Sequence, residues 1–204
     1  MLKRFLDKQK IEAGCDEAGR GCLCGPVCAA AVIMPIDYFN PLLNDSKKMT
    51  VKARNQLRKE IESIALDYAV AFVDNYTIDQ INILKASILA MHNALDKLKV
   101  RPQHILVDGN KFFPYQNIPS TCIIKGDGKY VSIAAASVLA KTYRDELMLL
   151  LHEEFNQYGW DRNKGYPTEF HRRAISAYGP TLYHRQSFRL FNSQTKIKFE
   201  NKNN

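Results

Sequence analysis

Long hydrophobic runs are missing from this chain of 204 residues. None approaches the roughly 18 apolar residues that a membrane-crossing helix needs. Met1-Leu2-Lys3-Arg4-Phe5 opens on basic residues but has no apolar core behind it, so no export signal is read there. A soluble, cytoplasmic protein without a membrane partner is the expectation. Cysteine is sparse and odd in number, with five residues. That argues against a disulfide framework. Cys15, Cys22, Cys24 and Cys28 lie close together but lack the paired CxxC spacing of structural zinc sites. Cys28 sits in an Ala/Val run, where cysteine behaves as a small hydrophobe. Gly126-Asp-Gly-Lys129 touches on phosphate-loop patterns but lacks GxxxxGK(S/T), which argues against nucleoside triphosphate binding. Repeats and long linkers are absent too.

Acidic charge is the scarcer sign: 21 Asp and Glu stand against 29 Lys and Arg, a net charge of +8. Such an excess bears on partners rather than on fold, and nucleic acid is the commonest polyanion. What is plentiful is core material. Hydrophobic residues make up 46% and charged residues 25%, as in a packed globular chain of about one domain.

Strands are expected over 10–16 and 26–34, joined by a Gly-rich turn. A helix over 51–66 places Leu57 and Ile61 on one face, with Thr50 as N-cap. A strand over 68–74 precedes a helix opened by a capping box at Thr77-Ile-Asp-Gln80. Short strands follow over 104–108 and 121–125. A long helix over 131–155 begins with very small side chains, and a last helix runs from Thr168 to Tyr178 and stops at Gly179. Strands mixed with helices make an α/β domain. Residues 192–204 read as a polar tail.

Four acids stand apart from the rest. Asp16 and Asp108 each end a hydrophobic strand, Asp127 follows a third, and Glu17 adjoins Asp16. Strand ends on one side of an α/β sheet converge, so these carboxylates can meet. Neighbours on a strand face opposite ways, so Glu17 must lie where the strand yields to the loop if it is to join them. Converging carboxylates repel unless a cation intervenes. Oxygen-only ligands select Mg²⁺ or Mn²⁺, and a pair of such ions suits in-line phosphodiester cleavage. Beside them, Gly19 and Gly21 let the backbone approach a ligand closely, and Arg20 offers a fork that fits phosphate. Asp145 reads as an ordinary surface acid. From Asn156 onward nine basic residues face three acids, interleaved with aromatics, eight of them between Tyr158 and Phe191. Basic side chains track phosphates and aromatics can stack on bases or sugars. Six of the eight aromatics are expected in the core; Tyr166, in a loop before a helix, is the best exposed candidate.

Taken together, Asp16-Glu-Ala-Gly-Arg-Gly21, Gly25-Pro-Val27, Leu43-Asn-Asp-Ser-Lys47, Val107-Asp-Gly109, Lys125-Gly-Asp127, Ser132 to Lys141, Arg144-Asp145 and Gly165-Tyr-Pro-Thr168 resemble ribonuclease HII, the type 2 ribonuclease H family, from about residue 10 to 190. The resemblance implies a ribonuclease H-like mixed β-sheet flanked by helices, with a small helical C-terminal extension. Residues 1–155 would form the catalytic domain, and 156–191 a basic, aromatic extension packed on it. Asp16, Glu17, Asp108 and Asp127 would be catalytic and hold two divalent ions, Mn²⁺ or Mg²⁺. Gly19, Arg20 and Gly21 would grip the ribose 2′-hydroxyl and its phosphate, and Tyr166 would pack on the next deoxyribose. Lys47, Ser137 and Lys141 would contact phosphate or substrate. The implied partners are RNA–DNA hybrids and DNA containing ribonucleotides, cut on the 5′ side of the ribonucleotide by a monomeric enzyme, to yield a 5′-phosphate and a 3′-hydroxyl. A non-catalytic hybrid-binding module would not need four acids, which repel phosphate. A junction resolvase would have no use for Gly-Arg-Gly and Tyr166. One departure stands out: Cys22-Leu-Cys24 replaces the family's usual Pro-Leu-Ala, which frees a backbone N–H and relaxes φ at residue 22.

Overall fold

A computed structural model describes residues 2–44 and 49–191. Lys47 and the tail from residue 192 therefore lie outside the described residues. Five strands are present there: β1 (Glu12–Ala18), β2 (Val27–Ile33), β3 (Asp67–Val73), β4 (His104–Asp108) and β5 (Ser120–Ile123). They form one mixed sheet in the order β3-β2-β1-β4-β5. The left half is antiparallel, β1 with β2 and β2 with β3, while β1–β4 and β4–β5 are parallel. The helices are α1 (Val51–Ile64), α2 (Asn75–Ile81), α3 (Ile83–Asp96), α4 (Val131–Glu154), the short α5 (Trp160–Asn163) and α6 (Glu169–Tyr178). The α/β class and the ribonuclease H-like layering expected from the sequence are what is found.

Strand β2 reads Val-Cys-Ala-Ala-Ala-Val-Ile without alternation because both of its faces are buried. On one face Ala29 and Ala31 join Ala13, Cys15, Ile105 and Val107 under α2 and α3. On the other, Cys28, Ala30 and Val32 meet Ala134 to Leu139 of α4 and Leu57 and Ile61 of α1. The small residues of α4 let it lie almost on the sheet. At Gly14 the approach is backbone to backbone: a Cβ there would stand 2.2 Å from the Ser132 carbonyl carbon.

Helix α1 is capped as expected, the Thr50 hydroxyl accepting the Ala53 N–H at 3.2 Å. The expected capping box at Thr77 is not the cap. Asp74 holds that role, its carboxylate accepting the Thr77 N–H at 2.8 Å. Nor is the following helix continuous. Asn82, at φ +67°, breaks it into α2 and α3, and its amide oxygen caps the second piece through Leu84 N–H and Lys85 N–H. Asparagine tolerates the left-handed region and caps well, so one residue does both jobs.

Strand β5 stops at Ile123, two residues before the expected end. Lys125 turns left-handed at φ +56°, and Gly126–Gly128 form a single 3₁₀ turn that leads into α4. Residues beyond α4 share a third hydrophobic cluster, in which Tyr158, Trp160, Ile175 and Leu190 pack on Leu23, Cys24 and Met148. The eight C-terminal aromatics divide differently from the expectation. Tyr158 and Trp160 are buried and Tyr183 and Phe188 half-buried, but Tyr166, Phe170, Tyr178 and Phe191 are exposed. Helix α6 buries one narrow stripe, His171, Ala174 and Ile175, and leaves Phe170 and Tyr178 on its outer side. No helix among the described residues is long and apolar enough to cross a membrane.

Candidate active site

The parallel ladder between β1 and β4 ends at Cys15 opposite Val107. The next residues, Asp16 and Asp108, therefore stand side by side. Alternation assigns both to the α4 face, since Cys15 and Val107 belong to the cluster on the opposite side. Asp108 accepts the Gly126 N–H at 2.7 Å, which ties the turn carrying Asp127 to the end of β4. Asp127 is itself buried in that turn. Three carboxylates from three separate elements are thus drawn to one end of the sheet.

Glu17 arrives differently from the expectation. It lies inside β1, paired with Ala29 in the antiparallel ladder, so its side chain sets out from the opposite face to Asp16. The strand has already lost its β4 partner there, and the carboxylate still acts on Asp16. Burial pushes Asp16 well above the usual carboxylate range, with the charges of Glu17 and then Asp108 adding to it. Hydrogen bonds from the Ser137 hydroxyl and from Glu17 N–H, the latter at 2.7 Å, pull the other way. No ion pair among the described residues involves Asp16 or Asp108. A 5% exposed carboxylate beside two like charges is stabilised by a cation. The donor set is oxygen only, which fits a hard divalent ion.

Around the acids sit most of the other candidates. Arg20 is exposed and reaches back to Glu17 at 3.1 Å. Gly21 is open, with nothing within 4 Å of where a Cβ would stand, so a ligand can come up to its backbone. Gly19, at φ +95°, is instead packed against Arg144. Ser137 touches Asp16 from α4. One turn further along the same helix, Lys141 pairs with Asp145 at 2.7 Å and lies 5.6 Å from the centroid of the Tyr166 ring. Asp145 is therefore a partner of Lys141, half-buried rather than a free surface acid. Tyr166 follows Gly165 and is 37% exposed, so one side of its ring is open to a ligand.

The grouped cysteines separate in space. Cys15 and Cys28 lie in the sheet core, and burial pushes both thiols up. Cys24 meets His171 and His184, a trio close enough for a metal. Its ring nitrogens are already engaged. His184 Nδ1 accepts Thr181 N–H at 2.8 Å, which leaves the proton on Nε2, 3.2 Å from His171 Nε2. His171 Nδ1 donates to the Tyr166 carbonyl at 2.9 Å, and its Nε2 accepts the Trp160 indole N–H at 3.0 Å. With these tautomers every ring nitrogen has a protein partner, the single lone pair of His171 Nε2 being shared between the Trp160 and His184 donors, so the trio is engaged in a hydrogen-bond chain.

The sequence assigns no role to two residues that matter here. Arg144 and Arg185 are fully buried and hold the backbone of the loop after β1. Arg185 is one of the nine basic residues of the C-terminal segment, yet it is turned inward and not toward a docking face. For Arg144 the signal was available in helical phase: Ser137, Lys141, Arg144 and Met148 fall on one face.

Comparison with known proteins accords with this geometry. A family model described as Ribonuclease HII matches residues 13–194. Ribonuclease HII of Christiangramia forsetii is 64% identical over 97% of this chain and 100% of that protein. Ribonuclease HII of Bacteroides thetaiotaomicron is 60% identical over 98% of this chain and 100% of its own length. Among solved structures, the ribonuclease H2 of Pyrococcus horikoshii superposes with a TM-score of 0.73 at 26% identity, covering 88% of this chain and 94% of that one. A match of this extent in sequence and in fold places the chain in the ribonuclease HII family, hydrolytic nucleases that act on RNA paired with DNA.

Proposed function

We propose that the acid-lined end of the sheet cuts RNA in RNA–DNA hybrids, including single ribonucleotides embedded in duplex DNA, and so serves ribonucleotide removal from DNA. Cleavage falls on the 5′ side of the ribonucleotide. Water adds its oxygen to phosphorus, the bond to the preceding 3′-oxygen breaks, and that oxygen takes up a proton. The products are a 3′-hydroxyl and a 5′-phosphate. Asp16, Glu17, Asp108 and Asp127 would hold two divalent ions, Mg²⁺ or Mn²⁺. When bound, such ions supply charge for the scissile phosphate and acidify the attacking water.

The observation that carries the reading is the meeting of Asp16 and Asp108 on one face, with no ion-pair partner for either among the described residues. The chain's own groups do the rest. Ser137 fixes the Asp16 carboxylate by a hydrogen bond. Gly126 N–H fixes that of Asp108. The open backbone at Gly21, with Gly19 and Arg20, offers donors to the ribose 2′-hydroxyl and its phosphate. A site that hydrogen-bonds this hydroxyl rejects DNA, because its polar groups are then left unpaired. Tyr166 presents a ring face to the following sugar, where a second 2′-hydroxyl would crowd it. Lys141, beside that ring, and Lys47 serve the phosphates. Residues 1–155 form the catalytic domain and 156–191 the duplex-facing extension of a monomeric, cytoplasmic enzyme.

The test is Asp108→Asn on a duplex with one embedded ribonucleotide. Cleavage should fall by at least about 10³-fold, the scale of removing a principal transition-state group, while hybrid binding stays within about threefold. Turnover near the wild-type rate, or wild-type turnover that persists in a chelator, would sink the metal-site reading.

A further inference from the structure

Arg144 and Arg185 are each 0% exposed. No ion pair among the described residues involves either. Their donors go to backbone carbonyls instead. Arg144 donates from Nε to Pro26 at 3.0 Å, from Nη1 to Lys164 at 2.8 Å and from Nη2 to Cys24 at 3.1 Å. Arg185 donates from Nε and Nη2 to Gly25, at 3.1 and 2.9 Å, and from Nη1 to Arg20 at 2.9 Å. The two charges also oppose each other: burial first, then Arg144, brings Arg185 down to about 10. Buried ionic groups are poor evidence for stability alone, and their best-attested use is to fix a register.

The carbonyls come from two places. Residues 19–26 form the loop after β1, and Lys164 immediately precedes Gly165-Tyr166. The same two segments are joined by Leu23 N–H to the Gly165 carbonyl at 2.8 Å and by the Cys22 thiol to the Lys164 carbonyl at 3.6 Å. Glycine is required where the loops close on the guanidinium. A Cβ at Gly19 would stand 2.0 Å from Arg144 Nε, and one at Gly165 would stand 2.9 Å from the Cys24 carbonyl oxygen. A lysine cannot replace such a fork, because a single ammonium does not span the separated carbonyls that each guanidinium joins, Arg20 with Gly25 for Arg185 and Lys164 with Cys24 and Pro26 for Arg144.

We propose that Arg144 and Arg185 are positioning residues for ribose recognition: Arg185 fixes the Gly19–Gly25 loop and Arg144 ties that loop to the Gly165–Tyr166 turn in one register, so that the two engage neighbouring sugars as a unit. This rests on the reading of those segments given above. Neither arginine touches substrate; each acts through the backbone it holds. Reading of the 2′-hydroxyl and stacking of Tyr166 are therefore coupled.

The experiment is a double-mutant cycle on the full chain, with Arg185→Lys and Arg144→Lys, each with and without Tyr166→Ala. The readout is kcat/KM on a duplex with one embedded ribonucleotide. Each Lys variant should lose about tenfold or more, and Tyr166→Ala should then cost less than about threefold, against more than about tenfold in the wild-type background. The Mn²⁺ concentration for half-maximal rate should not move, since the acids are held by other contacts. If Tyr166→Ala costs the same factor in folded Lys variants as in wild type, the coupling is refuted while the function stands. If Tyr166→Ala is harmless in the wild type, the recognition reading fails and this proposal with it. A measurement on the wild-type protein covers variants that do not fold. Amide exchange at Leu23 and Gly25 should be as slow as in β1, and exchange at the rate of exposed loops overturns the clamp.

Discussion

Acid should destabilise this protein chiefly through one imidazole. His184 is buried, with Thr181 N–H on its Nδ1 and His171 against its Nε2. The Tyr158 and Trp160 rings and the Cys24 thiol complete its surroundings. Burial, and then His171, hold its pKa down to about 4 from an ordinary 6.5. The unfolded chain takes up this proton near 6.5 and the folded chain only near 4. Between those values the unfolded state binds more protons, so stability falls as pH falls. The gap, 6.5 minus 4, is 2.5 units, worth about 3 kcal/mol once both states are protonated. At pH 5 roughly 2 kcal/mol of it is already lost. His171, also lowered chiefly by burial, adds in the same direction. Urea unfolding of the wild type and of His184→Gln, each at pH 7.5 and pH 5, isolates the effect from the carboxylates. The wild type should lose about 2 kcal/mol more than the variant over that interval. Equal losses, or an NMR midpoint for His184 at or above its ordinary value, would refute the reasoning.

Three other substitutions test distinct parts of the structure. Gly14→Ala would drive a Cβ to 2.2 Å from the Ser132 carbonyl carbon and 2.4 Å from Ile133 N. Both are backbone, so no rotamer relieves the clash; a loss of about 3 kcal/mol is expected, read as a fall in Tm of about 6–12 °C. An unchanged Tm would count against that contact. Tyr166→Ala should lower single-ribonucleotide cleavage more than tenfold, roughly the 1–3 kcal/mol of a lost stacking contact. Arg173→Ala, an exposed residue paired only with Glu169 among the described contacts, should cost less than about threefold by loss of one phosphate contact. Equal effects would undercut the role given to the tyrosine.

The sheet and its helices were legible because their patterns are local. Val-Cys-Ala-Ala-Ala-Val-Ile is a short apolar run behind a Gly-Pro turn, which reads as a buried strand, and the small first half of α4 announces close packing. The acids were legible because carboxylates at hydrophobic strand ends break the burial rule. Asn82 was not, since the helical period of Ile81, Leu84 and Ile88 runs straight through it and nothing local marks its positive φ. Thr77 offered a capping pattern, but Asp74 stood three residues earlier and reached the same N–H. The buried arginines were hidden for another reason. All but one of their acceptors are carbonyls of a loop more than a hundred residues away, such as Pro26 for Arg144 and Gly25 for Arg185, and no spacing rule links such pairs. The exposed aromatics of α6 followed from the opposite limit: a helix with one neighbour buries one stripe, whatever its composition.

The backbone contact at Gly14 has an evolutionary consequence. Where two main chains touch, no rotamer stands between them to drift, and no point substitution can fine-tune their separation. The distance from Asp16 to the helix bearing Ser137 is thereby insulated from gradual change elsewhere in the core. Diversification of substrate preference within such a scaffold is left to the rim, where Phe170, Tyr178 and Arg173 stand in solvent and can be exchanged without disturbing the hydrolytic centre.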